Sequence, residues 1–343
     1  MLRMLAVRAL DWKAIPPASP MPRKLLVVRW DGKLGDAVVS SFLYRELRKA
    51  AAVRIAVVTG APLAKLHRQL FGADEVLVTR TPPGWLELLG LALRLRGVDT
   101  VLHLVGHVQP RELFFLRLLK PTQIYCLDDA LACVTGKMGH ATRHMQFAEK
   151  YAQVLLHMGV RDIDRSSLID ETGAGSDEHA RTDILFNPYA SRADKSIGPA
   201  RAAQTLARLA DALPTHRFFI LNSPTTREHS QQLAVTVGRS NVRAVDGMCS
   251  VEDAIARVRT CAALVSVDTG VAHIAAGANR PLVAIYPHSE DFNPWLPLCS
   301  PRVRVIHAPQ SADAHRRTGR KNMNTYVDSE VLGALQQLLR ESA

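Results

Sequence analysis

Short apolar runs alternate with helix-patterned stretches along nearly the whole chain, and this alternation constrains the fold more than any other feature. The first run, KLLVVR at 24–29, is apolar without a polar alternate, the pattern of a strand buried on both faces of a sheet. Similar runs at 53–58, 75–78, 100–105 and 123–126 are separated by apolar residues at helical spacing over 37–47, 62–70, 85–95 and 110–119. Strands alternating with helices predict a parallel sheet. The alternation stops once, at 162–182, DIDRSSLIDETGAGSDEHART, which is polar, acidic and rich in Gly and Ser.

Beyond that interruption the pattern restarts. Strands are expected at 183–186, 217–221, 241–245, 263–267 and 282–286, with helices at 199–212, 226–237, 251–260 and 270–278 and a last one at 326–339. The expected fold class is therefore α/β, with two Rossmann-like domains at 23–165 and 183–325. Residues 1–22 form an N-terminal extension, 166–182 a linker and 326–343 a C-terminal helix. The halves share no sequence period, so the chain is not a repeat protein. Ligands of such sheets sit beyond the carboxyl ends of the strands, which directs attention to a cleft between the two domains.

With 343 residues, 47% of them hydrophobic, the chain has the material for two cores. Its five cysteines are an odd number without C-x-x-C spacing, which argues against a disulfide framework and a structural zinc site and favours a reducing compartment. No apolar run approaches the ~20 residues that span a bilayer, so the expected location is the cytoplasm. A formal charge of +11 attracts polyanions of every kind: nucleic acid, anionic lipid or a phosphorylated substrate. Met1, Leu2, Met4, Leu5, Val7, Leu10 and Trp12, interleaved with Arg3, Arg8 and Lys13, read either as a basic amphipathic helix on the cytoplasmic face of a membrane or as a frayed leader ahead of Pro16, Pro17 and Pro20.

Three loops carry candidate chemistry. In Ser266-Val267-Asp268-Thr269-Gly270-Val271-Ala272-His273 a buried strand runs into a helix that starts near Gly270, and the free N–H groups of such a helix start accept a diphosphate. Thr269 adds a hydroxyl, Gly270 permits close approach and His273 lies one turn on. Taken alone, Asp268 serves equally well as a helix cap and His273 as a core residue. The D-T-G triplet is not an aspartic protease signature here, because it occurs once and a helix follows it. The second loop, Asn187 to Lys195, offers Ser191 as a donor to phosphate and Lys195 as a counter-charge for a departing diphosphate, or else a solvated basic loop around Arg192. The third, Gly32-Lys33-Leu34-Gly35-Asp36, is neither a Walker loop nor G-x-G-x-x-G. It presents Asp36, with Asp31 nearby, at a helix start, either as a cap or as a base for a sugar hydroxyl.

In this order, KLLVVR-x(5)-GD, PYAS-x(3)-K and SVDTGVAHIAAGANRPLVAIY, from about Lys24 to about Trp295, the chain resembles glycosyltransferase family nine, whose best-known members are the ADP-heptose-dependent lipopolysaccharide heptosyltransferases. The resemblance implies a GT-B fold, inverting transfer with no cofactor and no essential metal, an acceptor-side N-terminal domain and a nucleotide-sugar donor, ADP-heptose, held by the C-terminal domain. It further implies that Asp36 is the general base, Lys195 the phosphate-binding lysine, and Ser191, Asp268, Thr269, Gly270 and His273 the donor site. Glu228 and Met248 fall on the adenosine side. Lys33, Gly35, Arg111 and Arg143 are candidates for an acidic, lipid-linked glycan acceptor at the inner membrane. The chain departs from the better-known members at Ile197, where they carry tryptophan, and at Tyr286-Pro287-His288-Ser289, where they often carry G-P-T. Both positions bear on the donor sugar rather than on the reaction class. Two other readings are a nucleotide-sugar epimerase of the same architecture and a nucleic-acid-binding protein, the latter suggested by the basic stretch 315–321. That stretch lacks the interleaved aromatics that stack bases, so no nucleic-acid partner is expected.

Overall fold

The computed structural model describes residues 7, 9–15, 19–169, 182–247, 250–288, 293–297, 300–310 and 321–342. The chain divides into two compact units, Met1–Leu168 and Ile169–Ala343. Most of the expected linker lies outside the described residues, as do Met248 and residues 315–320 of the basic stretch.

In the first unit β1 (Lys24–Arg29) leads to α1 (Leu34–Val39), α2 (Phe42–Ala50), β2 (Arg54–Thr59), α3 (Ala61–Lys65) and β3 (Glu75–Val78). Then come α4 (Trp85–Arg94), β4 (Thr100–His103), α5 (Pro110–Leu119), β5 (Gln123–Cys126), β6 (Gly136–Lys137) and α6 (Phe147–His157). The six strands are all parallel in the order β3-β2-β1-β4-β5-β6. Leu26, Val28, Ala56, Val58, Val101 and Ile124 point from the strands into a core shared with Leu88, Leu91, Leu113 and Leu116 of α4 and α5. Val7, Leu10 and Trp12 of the N-terminal segment pack onto this same core, and the Asp11 carboxylate accepts from the N–H groups of Ala132 and Cys133 at 2.8 and 3.0 Å.

The second unit repeats the plan with β7 (Asp183–Asn187), α7 (Pro199–Ala212), β8 (Arg217–Ile220), α8 (Arg227–Val237), β9 (Val242–Ala244) and α9 (Val251–Thr260). It continues with β10 (Ala263–Val267), α10 (Gly270–Gly277), β11 (Leu282–Pro287), β12 (Val303–Ala308) and α11 (Asp328–Arg340). Its parallel order, β12-β11-β10-β7-β8-β9, is that of the first sheet read from the other edge. Tyr326, Val331, Leu335 and Leu338 bury the C-terminal helix in the core of this unit.

In both sheets the first strand lies centrally, the next two build outward on one side, and the fourth returns to the other side. The order of strands therefore reverses between β1 and β4 and again between β7 and β10, and adjacent crossover loops splay apart above those points.

The fold differs from the sequence expectation in three respects. The helix expected from residue 37 starts at Leu34 and is broken after Val39. Ser40 Oγ donates to the Asp36 carbonyl at 2.8 Å and Ser41 Oγ to that of Val38 at 2.7 Å, and such back-bonding bends a helix. The helix expected over 62–70 winds as α3 and then as a π-turn, Leu66–Leu70. The elements β6, α6 and β12 were not anticipated at all: β6 is two residues long, and β12 is an edge strand whose side chains are mostly only half-buried.

Candidate functional site

Each reversal point holds a polar group. In the first unit β1 ends at Arg29, and Gly32, at φ +63°, turns the chain so that α1 can start two residues later; only glycine enters this region without strain. Asp36 is the third residue of α1 and is buried, with its Oδ2 3.3 Å from Arg29 Nη1. Burial pushes the Asp36 carboxyl up to about 6, against the opposing pull of the Arg29 guanidinium; Asp31 adds a smaller upward push and Lys33 a smaller downward one. Arg29 is itself only 8% exposed and lies 5.4 Å from the ring centroid of Tyr151. Its Nε and Nη2 have no hydrogen-bond partner among the described residues. A buried carboxyl that titrates near neutrality is suited to taking a proton at physiological pH.

The neighbouring β4 strand ends in His103, buried, with Nε2 3.5 Å from Glu112 and its ring edge-on to Trp30. Thr81 Oγ1 in the β3–α4 loop donates to the Trp30 carbonyl at 2.5 Å, so that loop is tied to the segment carrying Asp36. Lys33 is exposed, 3.9 Å from Asp31, and Gly35 lies within the first turn of α1. Arg111 is half-buried at the start of α5, and Arg143 is exposed and donates from Nε to His144. Neither makes a hydrogen bond or ion pair with Asp36 among the described residues.

In the second unit the side chains of β7 and β10 are linked across the reversal, where Asn187 Nδ2 donates to Ser266 Oγ at 3.1 Å. The loop after β7 closes on itself through Ala190 N to Ser196 Oγ (2.9 Å) and Ile197 N to the Pro188 carbonyl (2.9 Å), with Ile197 buried beneath it. That closure aims Lys195 across at the next loop, where its Nζ lies 2.6 Å from Asp268 Oδ2. Asp268 is buried at the end of β10, one residue before Thr269, the cap position of α10. The Thr269 side chain does not cap the helix, and Thr269 and Gly270, which directly follow the carboxylate that Lys195 meets, are both half-buried. Ser191 is exposed on the same loop, beside the surface pair Arg192–Asp194.

His273 differs from a charged ligand. It is buried and lies edge-on to Trp295, with ring centroids 6.4 Å apart, and burial lowers it to about 4 although Asp268 pulls the other way. At neutral pH it is an uncharged imidazole that backs the site. Glu228 is exposed in the first turn of α8. Lys321, the one described member of the basic stretch, donates its backbone N–H to Asp194 at 3.4 Å; burial, with Lys195 nearby, pushes its ammonium below the usual lysine range.

The structure thus brings together Lys195, Asp268, Thr269 and Gly270, with His273 behind them, in the second unit, and leaves Asp36 with Arg29 in the first. Sequence reasoning gave no site role to Arg29 or His103, and named Asn187 and Lys321 only as members of the second loop and of the basic stretch. A charged residue closing an apolar strand run, as Arg29 closes KLLVVR, was the available signal for the first of these.

The model of glycosyltransferase family 9 (heptosyltransferase) matches residues 136–326. Lipopolysaccharide heptosyltransferase 2 of Escherichia coli (strain K12) is 43% identical over 65 residues, which are 19% of this chain and 18% of that protein, so the alignment spans under a fifth of the curated relative. Among solved structures, that of E. coli ADP-heptose LPS heptosyltransferase II aligns with a TM-score of 0.69 at 21% identity, covering 93% of this chain and 100% of that one. The structure of E. coli heptosyltransferase WaaC with ADP aligns with a TM-score of 0.69 at 19% identity and the same coverage. At such identities these structures establish the shared fold, a GT-B pair of α/β units. The family match extends over more than half of the residues, and the chain belongs to glycosyltransferase family 9, the heptosyltransferase family.

Proposed function

We propose that this protein is an inverting glycosyltransferase that moves heptose from ADP-heptose onto a lipopolysaccharide core or a related lipid-linked glycan. The observation that carries this reading is the Lys195–Asp268 pair at 2.6 Å beside the uncapped start of α10, at the strand-order reversal of the second sheet. A diphosphate placed there meets the unpaired amides of a helix N-terminus, the Thr269 hydroxyl and an ammonium already aimed by a buried carboxylate. Asp268 repels a diphosphate, so its part is to orient Lys195 or to bind a sugar hydroxyl. Ser191 supplies a further hydroxyl.

The chemistry is one in-line displacement. The acceptor hydroxyl gives its proton to Asp36 as its oxygen bonds to the anomeric carbon; the bond from that carbon to the diphosphate oxygen breaks, and the configuration inverts. The negative charge that collects on the leaving ADP is met by Lys195 and α10. No step requires a metal or a resident cofactor. The names of the relatives, which include ADP-heptose and ADP, support this choice of donor.

Isothermal titration of the wild type and of Lys195→Ala with ADP, UDP and GDP tests the reading. ADP binding that weakens by about tenfold or more in Lys195→Ala is expected, as for loss of a charge-assisted contact. Binding of UDP or GDP in place of ADP would keep the transfer and remove ADP-heptose, and no binding by any of the three would overturn the sugar-nucleotide reading.

A further inference from the structure

Helix α4, WLELLGLALR, is apolar on two sides. Leu88, Leu91 and Ala92 face the core of the first unit, as the inner stripe of a surface helix should. The outer side carries Trp85, Leu86, Leu89 and Leu93, at i, i+1, i+4 and i+8, and all four are exposed, Leu86 by 86% and Trp85 by 56%. Of the eight large apolar side chains exposed among the described residues, these four and Val78, at the end of the preceding edge strand, make five. Such concentration distinguishes a binding face from the scattered exposed leucines of any protein surface. Trp85 also stacks edge-on against Phe114 at 5.3 Å, which carries the apolar face onto α5.

Charge selects the occupant. Arg80 precedes the helix, and Arg94 and Arg96 end it; all three are exposed. The acidic residue of the helix, Glu87, is turned inward: its carboxylate accepts from Thr79 Oγ1 at 2.5 Å, from the N–H groups of Arg80 and Gly84, and from Arg80 Nε at 3.4 Å. An exposed leucine row with an indole at one end and arginines at its borders matches the boundary between acyl chains and anionic headgroups. The loop that starts α4 is hydrogen-bonded, through Thr81, to the Trp30 carbonyl in the segment that leads to Asp36.

We propose that the outer face of α4, formed by Trp85, Leu86, Leu89 and Leu93 with Arg80, Arg94 and Arg96, docks this protein on the surface of an anionic phospholipid bilayer. Docking there brings a lipid-anchored acceptor to the edge of the sheet that holds Asp36; in this respect the inference rests on the transfer reading above. This surface is distinct from the N-terminal segment, whose Val7, Leu10 and Trp12 are spent on packing against the first unit.

The test is flotation of the full chain with phosphatidylcholine vesicles, with and without phosphatidylglycerol, in the absence of donor and acceptor. The wild type should float with the anionic vesicles, and the double variant Leu86→Asp/Leu89→Asp should bind them about tenfold or more weakly, since both side chains are already exposed and neither supports the core. Arg94→Glu/Arg96→Glu should reduce the preference for anionic over neutral vesicles. Circular dichroism checks that each variant is folded, and a blue shift of tryptophan emission that is absent in Trp85→Phe would place the indole in the lipid. No flotation of the wild type, or equal flotation of the Leu86→Asp/Leu89→Asp variant, overturns the proposal. So does a dimer seen in chromatography of the wild type and lost in that variant, because a second copy then covers the face. ADP titration reports separately on the transfer reading: flotation without ADP binding leaves the surface and removes the transfer, and ADP binding without flotation does the reverse.

Discussion

Asp36 is where folding and reaction oppose each other most directly. Burial dominates over Arg29 in setting its affinity for a proton, so the folded protein binds that proton more tightly than the unfolded chain does. The stability contributed by this group is complete below about pH 4 and is lost as pH rises through about 6. Asp36→Asn should therefore make the protein more stable by about 2–3 kcal/mol at pH 7, with the gain vanishing near pH 4, as read from denaturant unfolding at the two pH values. The same substitution should lower kcat by about 10²–10⁴-fold, and the wild-type rate should fall on acidification through about pH 6 as the base becomes protonated. A variant that is less stable at pH 7, or a rate that is flat across that range, would remove Asp36 from the role of base. In the sequence Asp36 was visible as an acid at a helix start, but not its burial or its pairing, because Arg29 lies at the end of a strand and meets it only when the intervening turn folds.

Among the helices, α11 shows how the second unit holds its lysine loop. The Asp328 carboxylate, buried, accepts from Arg201 Nη1 at 2.7 Å and from Thr205 Oγ1 at 2.7 Å, while Arg201 Nη2 donates to the Tyr326 carbonyl at 2.6 Å and its guanidinium lies 4.5 Å from the Tyr326 ring centroid. Asn324 Oδ1 accepts from Gly198 N at 2.7 Å, at the entry to α7 just after Lys195. Asp328→Ala leaves the half-buried Arg201 of α7 without its carboxylate and Thr205 without that acceptor, and should cost about 1–3 kcal/mol, measured by urea unfolding. A loss below about 1 kcal/mol would show that α11 is held by its apolar face alone. The period of α11 was legible from its leucines; its attachment was not, since Arg201 and Asp328 are separated by 127 residues. Likewise the apolar spacing of α4 announced a helix but not that three of its five leucines face outward, because a helix rich in apolar residues all round reads as buried until its neighbours are known.

For the molecule as a whole, placing the donor in the second unit makes a spatial prediction. ADP at about 100 times its Kd stabilises the bound state by about 2.7 kcal/mol, so hydrogen exchange should slow by up to about 100-fold at amides of 187–198 and 268–274, with residues 30–36 unchanged. Protection confined to 30–36 would put the nucleotide on the wrong unit. Local periodicity was enough to declare an α/β chain with an interruption near 162–182, because strands such as 24–29 and 263–267 are buried on both faces and so show apolar runs without a polar alternation. The glycine and acid punctuation after those strands marked the loops at 30–36, 187–195 and 268–273. Strand order is another matter: it is set by which side of the central strand each crossover returns to, and no local pattern encodes that choice. Only the tertiary structure placed β4 beside β1 and β10 beside β7, and so brought Lys195 to Asp268 across 73 residues. Burial was decided in the same way, and with it the proton affinity of Asp36 and the neutrality of His273, since the cost of a charge depends on how much water the assembled neighbours exclude.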